Sequence, residues 1–191
     1  TLTIGTMVDL DALFTPDELK DVHPDTLAIL KKFPWKYIPV EGALHYQAWV
    51  SKETMPDGNP AGTAILAMYC EHPFSASCFH KLEYDEVWHF YGGDPLRLFL
   101  LHPDGSTEVV VMGSDVVAGQ QMQYTIPSGT WQGGELVPGG RYSLFGCTVA
   151  PGFVPAIFEA AVMEELVAQY PEQEDAIRRL SINDDVRRME E

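Results

Sequence analysis

Between Tyr37 and about Gly152 the chain is a succession of short apolar runs, each of strand length and each ended by Gly, Pro or Asp. These runs are HYQAWVS, TAILAMYC, SASCFH, EVWHFYGG, LRLFLLHPDG, TEVVVMG, QYTIP and YSLFGCTV. Short strands at this spacing are typical of a β-sandwich or barrel. The hairpin is clearest between LRLFLL and TEVVVM, because Pro103-Asp104-Gly105 has the composition of a tight turn. The sequence therefore predicts an all-β domain.

Helical segments flank this β-rich region. Thr15 followed by Pro16, with Glu18 at the capping-box position, predicts a helix N-terminus, and Pro24 divides the stretch into two short helices. After Pro155 the sequence AIFEAAVMEELVAQY predicts helix again, before a break at the next proline.

We therefore predict one domain in three parts: an N-terminal helical segment (1–36), a barrel (37–158) and C-terminal helices packed on the barrel (159–191). A chain of 191 residues is long enough for one such domain and short for two.

Charge and cysteine content narrow the class of partner. The chain has 12 Lys and Arg against 28 Asp and Glu, a formal net charge of -16, which disfavours nucleic acid and anionic membrane surfaces. The acidic residues concentrate in the helical ends, so the overall charge does not indicate a cationic substrate. Three cysteines without a CxxC pair fit a reducing compartment. No apolar run approaches the ~20 residues of a membrane span, and the N-terminus lacks a signal-peptide pattern. We expect a cytoplasmic protein that acts on a small molecule.

The segment CFHKLEYDEVWHFYGG is the best candidate for a chemical site. Alternation along a strand puts Cys78 and His80 on one face of the first strand, and Glu86, Trp88 and Phe90 on one face of the next. If that face is interior, Glu86 is a carboxylate among aromatic rings, where burial raises the pKa of a carboxyl. The alternative is a solvent-facing Glu at the start of a strand. The two aromatic residues are spaced as core residues and are also candidates for a pocket wall.

Two further segments supply candidate ligand-binding residues. QYTIPSGTWQ has a strand, a Pro-x-Gly turn and a return strand that begins with Trp131 and Gln132. The strand HYQAW places His45 and Gln47 two residues apart, and hence on one face. That face belongs either to the same cavity or to the surface of an edge strand.

Several of these segments resemble a known family. The stretch from Glu86 to Gly93 fits the Glu-(six residues)-Gly half of the first cupin motif, and Pro127-Ser-Gly129 followed by Gln132 fits the second. More narrowly, FHKLEYDEVWHFYGGDPLRL, IPSGTWQGG and FGCTVAPGF resemble the cupin subfamily DUF985, and EELVAQYPEQEDAIRRL resembles its closing helices. The resemblance covers roughly residues 25 to 182.

The resemblance implies a single-domain cupin double-stranded β-helix, a jelly-roll-like barrel with flanking N- and C-terminal helices. It also implies a homodimer. Glu41-Gly42 resembles the Glu-Gly-Gly start of the first strand in the subfamily, but Ala43 replaces the second glycine, which leaves Glu41 without an assigned role.

For the cofactor, the resemblance leaves two readings open. A metal-binding cupin supplies His-x-His, then Glu, then a later His, and the matching positions here are Cys78, His80, Glu86 and Gln132. With His80, Glu86 and Gln132 as ligands, the metal would be Fe, Mn, Ni or Zn. The other reading is a metal-free pocket, as in the sugar-nucleotide epimerases of the cupin superfamily.

In that metal-free reading, His80 acts as base and Glu86 as acid, with Tyr84 or His89 nearby. We therefore expect an isomerase, an epimerase or a lyase that works by proton transfer inside the barrel. A metal-dependent oxygenase and a non-enzymatic cupin that binds a small ligand are the alternatives.

Overall fold

The computed structural model describes residues 9–182, which form two antiparallel β-sheets. The strands, in chain order, are β1 (Lys36–Tyr37), β2 (Leu44–Val50), β3 (Thr63–Cys70), β4 (Ser77–Leu82), β5 (Glu86–Gly93), β6 (Leu96–Leu101), β7 (Thr107–Met112), β8 (Gln123–Ile126), β9 (Trp131–Leu136), β10 (Tyr142–Val149) and β11 (Phe158–Ala160). One sheet has the order β1-β2-β3-β10-β5-β8, and the other has the order β11-β4-β9-β6-β7. The all-β prediction and the β6–β7 hairpin are confirmed.

The two sheets pack face to face over an apolar core. Tyr69, Trp88 and Phe145 from the six-stranded sheet meet Leu98 and Leu100 from the five-stranded sheet in one buried cluster. Strands that are distant in sequence are paired, since β10 lies between β3 and β5, and β9 lies between β4 and β6. The sheets do not close into a barrel, and their arrangement is that of a jelly roll.

The N-terminal helices cover the outer face of the six-stranded sheet. Helix α1 (Pro16–Leu19) begins with a capping box between Thr15 and Glu18, and helix α2 (Pro24–Leu30) follows. The predicted division into two short helices is therefore confirmed. Leu30 packs in a buried cluster that includes residues of β2 and β3. No helix within residues 9–182 has the length and apolar character needed to cross a membrane.

The segment after Pro155 differs from the predicted helix. A 3-10 turn (Pro155–Ile157) leads into strand β11, which pairs with β4, and helix begins only at α3 (Met163–Gln169). The reason is that the apolar side chains of Ile157 and Phe158 pack against Leu82, which favours extension along β4.

The chain then makes a 3-10 turn (Pro171–Gln173) and helix α4 (Glu174–Arg179), so the predicted break at Pro171 is confirmed. Both helices pack on the outer face of the five-stranded sheet through a buried cluster that contains Leu166 and Ile177. Residues 183–191 lie outside the described residues, and the predicted homodimer stays a prediction.

Candidate functional site

A cavity of about 110 Å³ lies between the two sheets and is lined by both. Its apolar walls are Ile38, Ile65, Leu82, Val149, Phe153 and Phe158; Gln47, Thr63 and Cys147 are polar but uncharged; the remaining lining residues are Glu41, His45, His80 and Glu86. Titratable groups that converge in a mostly apolar cavity are the usual mark of a ligand site. This cavity is therefore the candidate functional site.

Glu86 is held by two neighbours at the inner end of this site. Glu86, Trp88 and Phe90 share one face of β5, as the sequence predicts, and of the two orientations left open it is the interior one that the structure shows. The carboxylate Oε2 accepts hydrogen bonds from Trp88 Nε1 at 3.0 Å and from Gln132 Nε2 at 2.8 Å. The same Trp88 Nε1 also donates to Gln132 Oε1 at 3.2 Å. The three side chains therefore form one buried network.

Burial raises the pKa of Glu86, because only 8% of the residue is exposed and the carboxylate loses its hydration. The charge of His80 and the two donated hydrogen bonds lower the pKa, while the charge of Glu41 raises it further, and the net direction is upward. Glu86 therefore keeps its proton to a higher pH than a carboxyl in water does. A buried acid of this kind can act as a proton donor to a bound molecule.

We expect Glu86→Gln to be more stable than the wild type at neutral pH by about 1 kcal/mol, a usual size for a single stabilising substitution. The folded wild type binds the Glu86 proton more tightly than the unfolded chain, so its stability falls as pH rises from about 4.3 through the raised pKa. Glutamine has no proton to lose, and its amide oxygen can still accept from Trp88. Urea unfolding across this pH range should show a gain that grows with pH, whereas Glu71→Gln at an exposed position should show none. If the stability gain of Glu86→Gln were largest at acid pH, the pKa of Glu86 would not be raised by folding.

His80 faces the cavity from β4, and only 3% of the residue is exposed. Its Nδ1 lies 2.9 Å from the carbonyl oxygen of Cys78. Because a carbonyl can only accept, Nδ1 carries the hydrogen in the neutral ring and Nε2 carries the lone pair. The ring also stacks on Phe158, with 5.1 Å between centroids and 20° between planes. The imidazole is therefore fixed with its basic nitrogen free.

Glu41, to which the sequence assigns no role, lines the cavity beside His80. Its Oε1 accepts from Ser77 Oγ at 2.6 Å, which in turn accepts from Tyr69 Oη at 2.5 Å. Its Oε2 lies 4.0 Å from His80 Nε2. The preceding Val40 has a φ of 68°, a left-handed backbone conformation that β-branched residues rarely adopt and that strains the turn. This strained turn places the carboxylate beside the imidazole.

The signal for Glu41 in the sequence is weak. It consists of the turn residues Pro39 and Gly42, on either side of a carboxylate just before a strand. Nothing in that pattern shows that Ser77, far along the chain, bonds to the side chain. Cys147 also lines the cavity; burial and the charges of Glu86 and Glu41 raise its thiol pKa, so it is not a reactive thiolate.

His45 and Gln47 both line the cavity from β2. His45 Nδ1 lies 3.0 Å from the carbonyl oxygen of Lys36, and Gln47 Nε2 donates to the carbonyls of Trp49 and Ala64. The amide oxygen of Gln47 is left for other partners. These two residues form a polar edge of the cavity.

Other predicted site residues lie outside the cavity lining. Cys78 is buried in a β-bulge between Ser77 and His80, which breaks the alternation that would place it on the face of His80. Burial raises the pKa of the Cys78 thiol to about 12. Tyr84 packs against the cluster of Leu82, Val149 and Ile157 and does not belong to the cavity lining.

The side chain of His89 lies on the opposite face of β5 from Glu86, as alternation predicts, and its Nε2 is 3.3 Å from Thr148 Oγ1. Trp88 and Phe90 belong to the core between the sheets. Trp131 lies on the outer face of β9 under the ammonium group of Lys81, 4.3 Å from the ring centroid. Trp88 and Gln132 thus support Glu86 from behind rather than line the cavity.

As placed, the predicted set of His80, Glu86 and Gln132 does not fit a metal ion. Both ends of the Gln132 amide are used, one donating to Glu86 and the other accepting from Trp88. Glu86 Oε2 already accepts two hydrogen bonds. Within residues 9–182, no group of three or more His, Cys, Asp and Glu side chains has the geometry of a metal site.

Comparison with known proteins gives the same fold. The crystal structure of a Shewanella oneidensis protein is 28% identical, with a TM-score of 0.71, and the match covers 78% of this chain and 92% of that one. A hypothetical protein from Leishmania major is also 28% identical, with a TM-score of 0.68, over 76% of this chain and 93% of that one. No curated protein matches the sequence. The model of the family Cupin_5, described as cupin superfamily (DUF985), matches residues 29–161. The chain therefore belongs to the Cupin_5 family of the cupin superfamily.

Proposed function

We propose that this cupin is an enzyme that moves a proton on a small organic molecule, as an isomerase, an epimerase or a lyase. The observation that carries the proposal is that a free imidazole nitrogen and a carboxyl of raised pKa line one desolvated cavity. These are the two groups that acid/base catalysis needs, a base with an available lone pair and an acid that carries a proton.

His80 Nε2 is the base. Its Nδ1–H is tied to the Cys78 carbonyl, so the lone pair is presented to a bound molecule without rotation of the ring. A carbon-bound hydrogen next to a carbonyl is the proton that such a base removes. When Nε2 takes the proton, the imidazolium faces the Glu41 carboxylate at 4.0 Å, which stabilises the charged ring.

Glu86 is the acid. Its Oε2 accepts from Trp88 and Gln132, so the proton is carried by Oε1. Transfer of this proton to a different atom of the substrate gives an isomer, and transfer to a leaving hydroxyl gives elimination of water. The Trp88–Gln132 pair then stabilises the resulting carboxylate through the hydrogen bonds that it already makes.

The test does not require the substrate to be known in advance. A small-metabolite extract in D2O is incubated with wild type or with His80→Gln, and the two samples are compared by mass spectrometry. We expect at least one metabolite to gain a deuteron, or to lose water, only with wild type. No difference between the two samples would contradict the proposal, and a metabolite that gains oxygen would indicate the oxygenase instead.

A further inference from the structure

The charge of the cavity lining is one-sided. Of the residues that the structure describes, those around the cavity include the carboxyl groups of Glu41 and Glu86 and no Lys or Arg. Lys81 of β4 lies on the face of the strand opposite His80, where its ammonium group pairs with Glu159 at 3.0 Å and covers the ring of Trp131. Among the residues that line the cavity, His45 and His80 are the ones that can supply positive charge to a bound molecule.

The Glu41 carboxylate is fixed in this position rather than free to withdraw. Its side chain is 11% exposed, and Oε1 is held by Ser77, which Tyr69 holds in turn. The glycine at position 134 leaves room for these hydrogen bonds, because a Cβ at that position would occupy the space of the Tyr69 hydroxyl. The backbone carbonyl of Glu41 also accepts from the Cys78 N–H at 2.8 Å.

A fixed carboxylate beside apolar walls repels an anion more strongly than it would in water, because less solvent screens the two charges. The aromatic ring of Phe158 stacks on His80, and the partly exposed Phe153 lies at the lining. These rings offer flat surfaces to a planar or cyclic molecule, and their faces also attract cations.

Taking the proposed function as its basis, we infer that the substrate is a small cyclic or planar molecule without negative charge on the part that enters the cavity. Glu41 is the residue that determines this selectivity. Phosphorylated and carboxylated molecules are rejected unless their anionic group remains outside. The carboxyl groups that produce this selectivity are those of the cavity lining, and the acidic helices lie outside it.

Three probes of one skeleton test this inference: benzyl alcohol, benzylamine and benzoate. Binding is followed at neutral pH by the NMR signals of the Ile65, Leu82 and Val149 methyl groups, which report on the cavity walls. We expect the alcohol and the amine to shift these signals, and benzoate to bind at least about tenfold more weakly. Glu41→Gln should narrow the difference, and Glu71→Gln, an exposed position away from the cavity, should leave it unchanged.

Any one of three results would overturn the inference: benzoate binds as tightly as benzyl alcohol, the difference in affinity between these two probes is the same in Glu41→Gln as in the wild type, or none of the three probes binds. The probe assay involves no turnover, so its result is separate from that of the D2O experiment. A His80-dependent reaction of a metabolite whose anionic group enters the cavity would uphold the proposed function and remove the charge selectivity. If the probes bind as expected but no metabolite reacts in D2O, the charge selectivity of the cavity is upheld and the proposed function is removed.

Discussion

His80→Gln and Glu86→Gln should each lower turnover of the metabolite found in the D2O experiment by about 10²–10⁴-fold, the usual contribution of a positioned acid or base. The loss should fall mainly on kcat, because both groups act on protons that move in the transition state. Steady-state kinetics of the two purified variants measure this. Far-ultraviolet circular dichroism and urea unfolding show whether each variant is folded.

Two neighbouring surface positions serve as matched controls. His72 and Glu71 are both exposed, so His72→Gln and Glu71→Gln make the same chemical changes away from the cavity. Both controls should retain wild-type kcat. If either cavity variant keeps more than about a tenth of wild-type kcat, that residue is not the acid or base of the reaction.

For Glu86, the kinetic loss is combined with the gain in stability described above. A core residue that served packing alone would not lose activity and gain stability together. The raised pKa of Glu86 means that the fold tolerates a group that it would hold more easily as an amide. Sites that retain such a group against stability are commonly functional.

Much of the fold could be predicted from local sequence. The turn at Pro103-Asp104-Gly105 and the capping box at Thr15 are decided by residues a few positions apart, so their chemistry is visible in the sequence. Strand β11 could not be predicted in this way. Its extended form depends on pairing with β4, a contact between segments about 80 positions apart, and that contact overrides a helical pattern.

In the candidate site, too, features set by local alternation could be predicted and features set by partner strands could not. Alternation along β5 correctly puts Glu86 and His89 on opposite faces, and the packing of the two sheets, which the sequence does not show, makes the face of Glu86 the inner one. Alternation along β4 fails at the bulge before His80, because a bulge depends on the partner strand. The position of Glu41 depends on a strained turn, for which the sequence gives only a weak signal, and on two hydroxyl groups from other strands, for which it gives none.

The second large effect is expected at Phe145, whose ring contacts both Trp88, which bonds to Glu86, and Tyr69, which bonds to Ser77. It is 1% exposed, lies 4.7 Å from Trp88 in a parallel stack, and lies 4.5 Å from Tyr69. Trp88 donates to Glu86, and the Tyr69 hydroxyl begins the chain that ends at Glu41. Phe145→Ala should lower the free energy of unfolding by about 3–5 kcal/mol, because it removes apolar contacts and leaves a cavity between these two rings.

Urea unfolding measures this loss as a lower midpoint at an unchanged slope. Phe145→Leu keeps most of the apolar volume and should cost only about 1 kcal/mol, while Val109→Ala, at a side chain that is 46% exposed, should cost less than about 0.5 kcal/mol. Turnover per folded molecule should also fall in Phe145→Ala and recover in part in Phe145→Leu, since both carboxylates lose the support behind them only in the first. A loss below about 1 kcal/mol in Phe145→Ala, or unchanged turnover, would mean that Trp88 and Tyr69 are held independently of this ring.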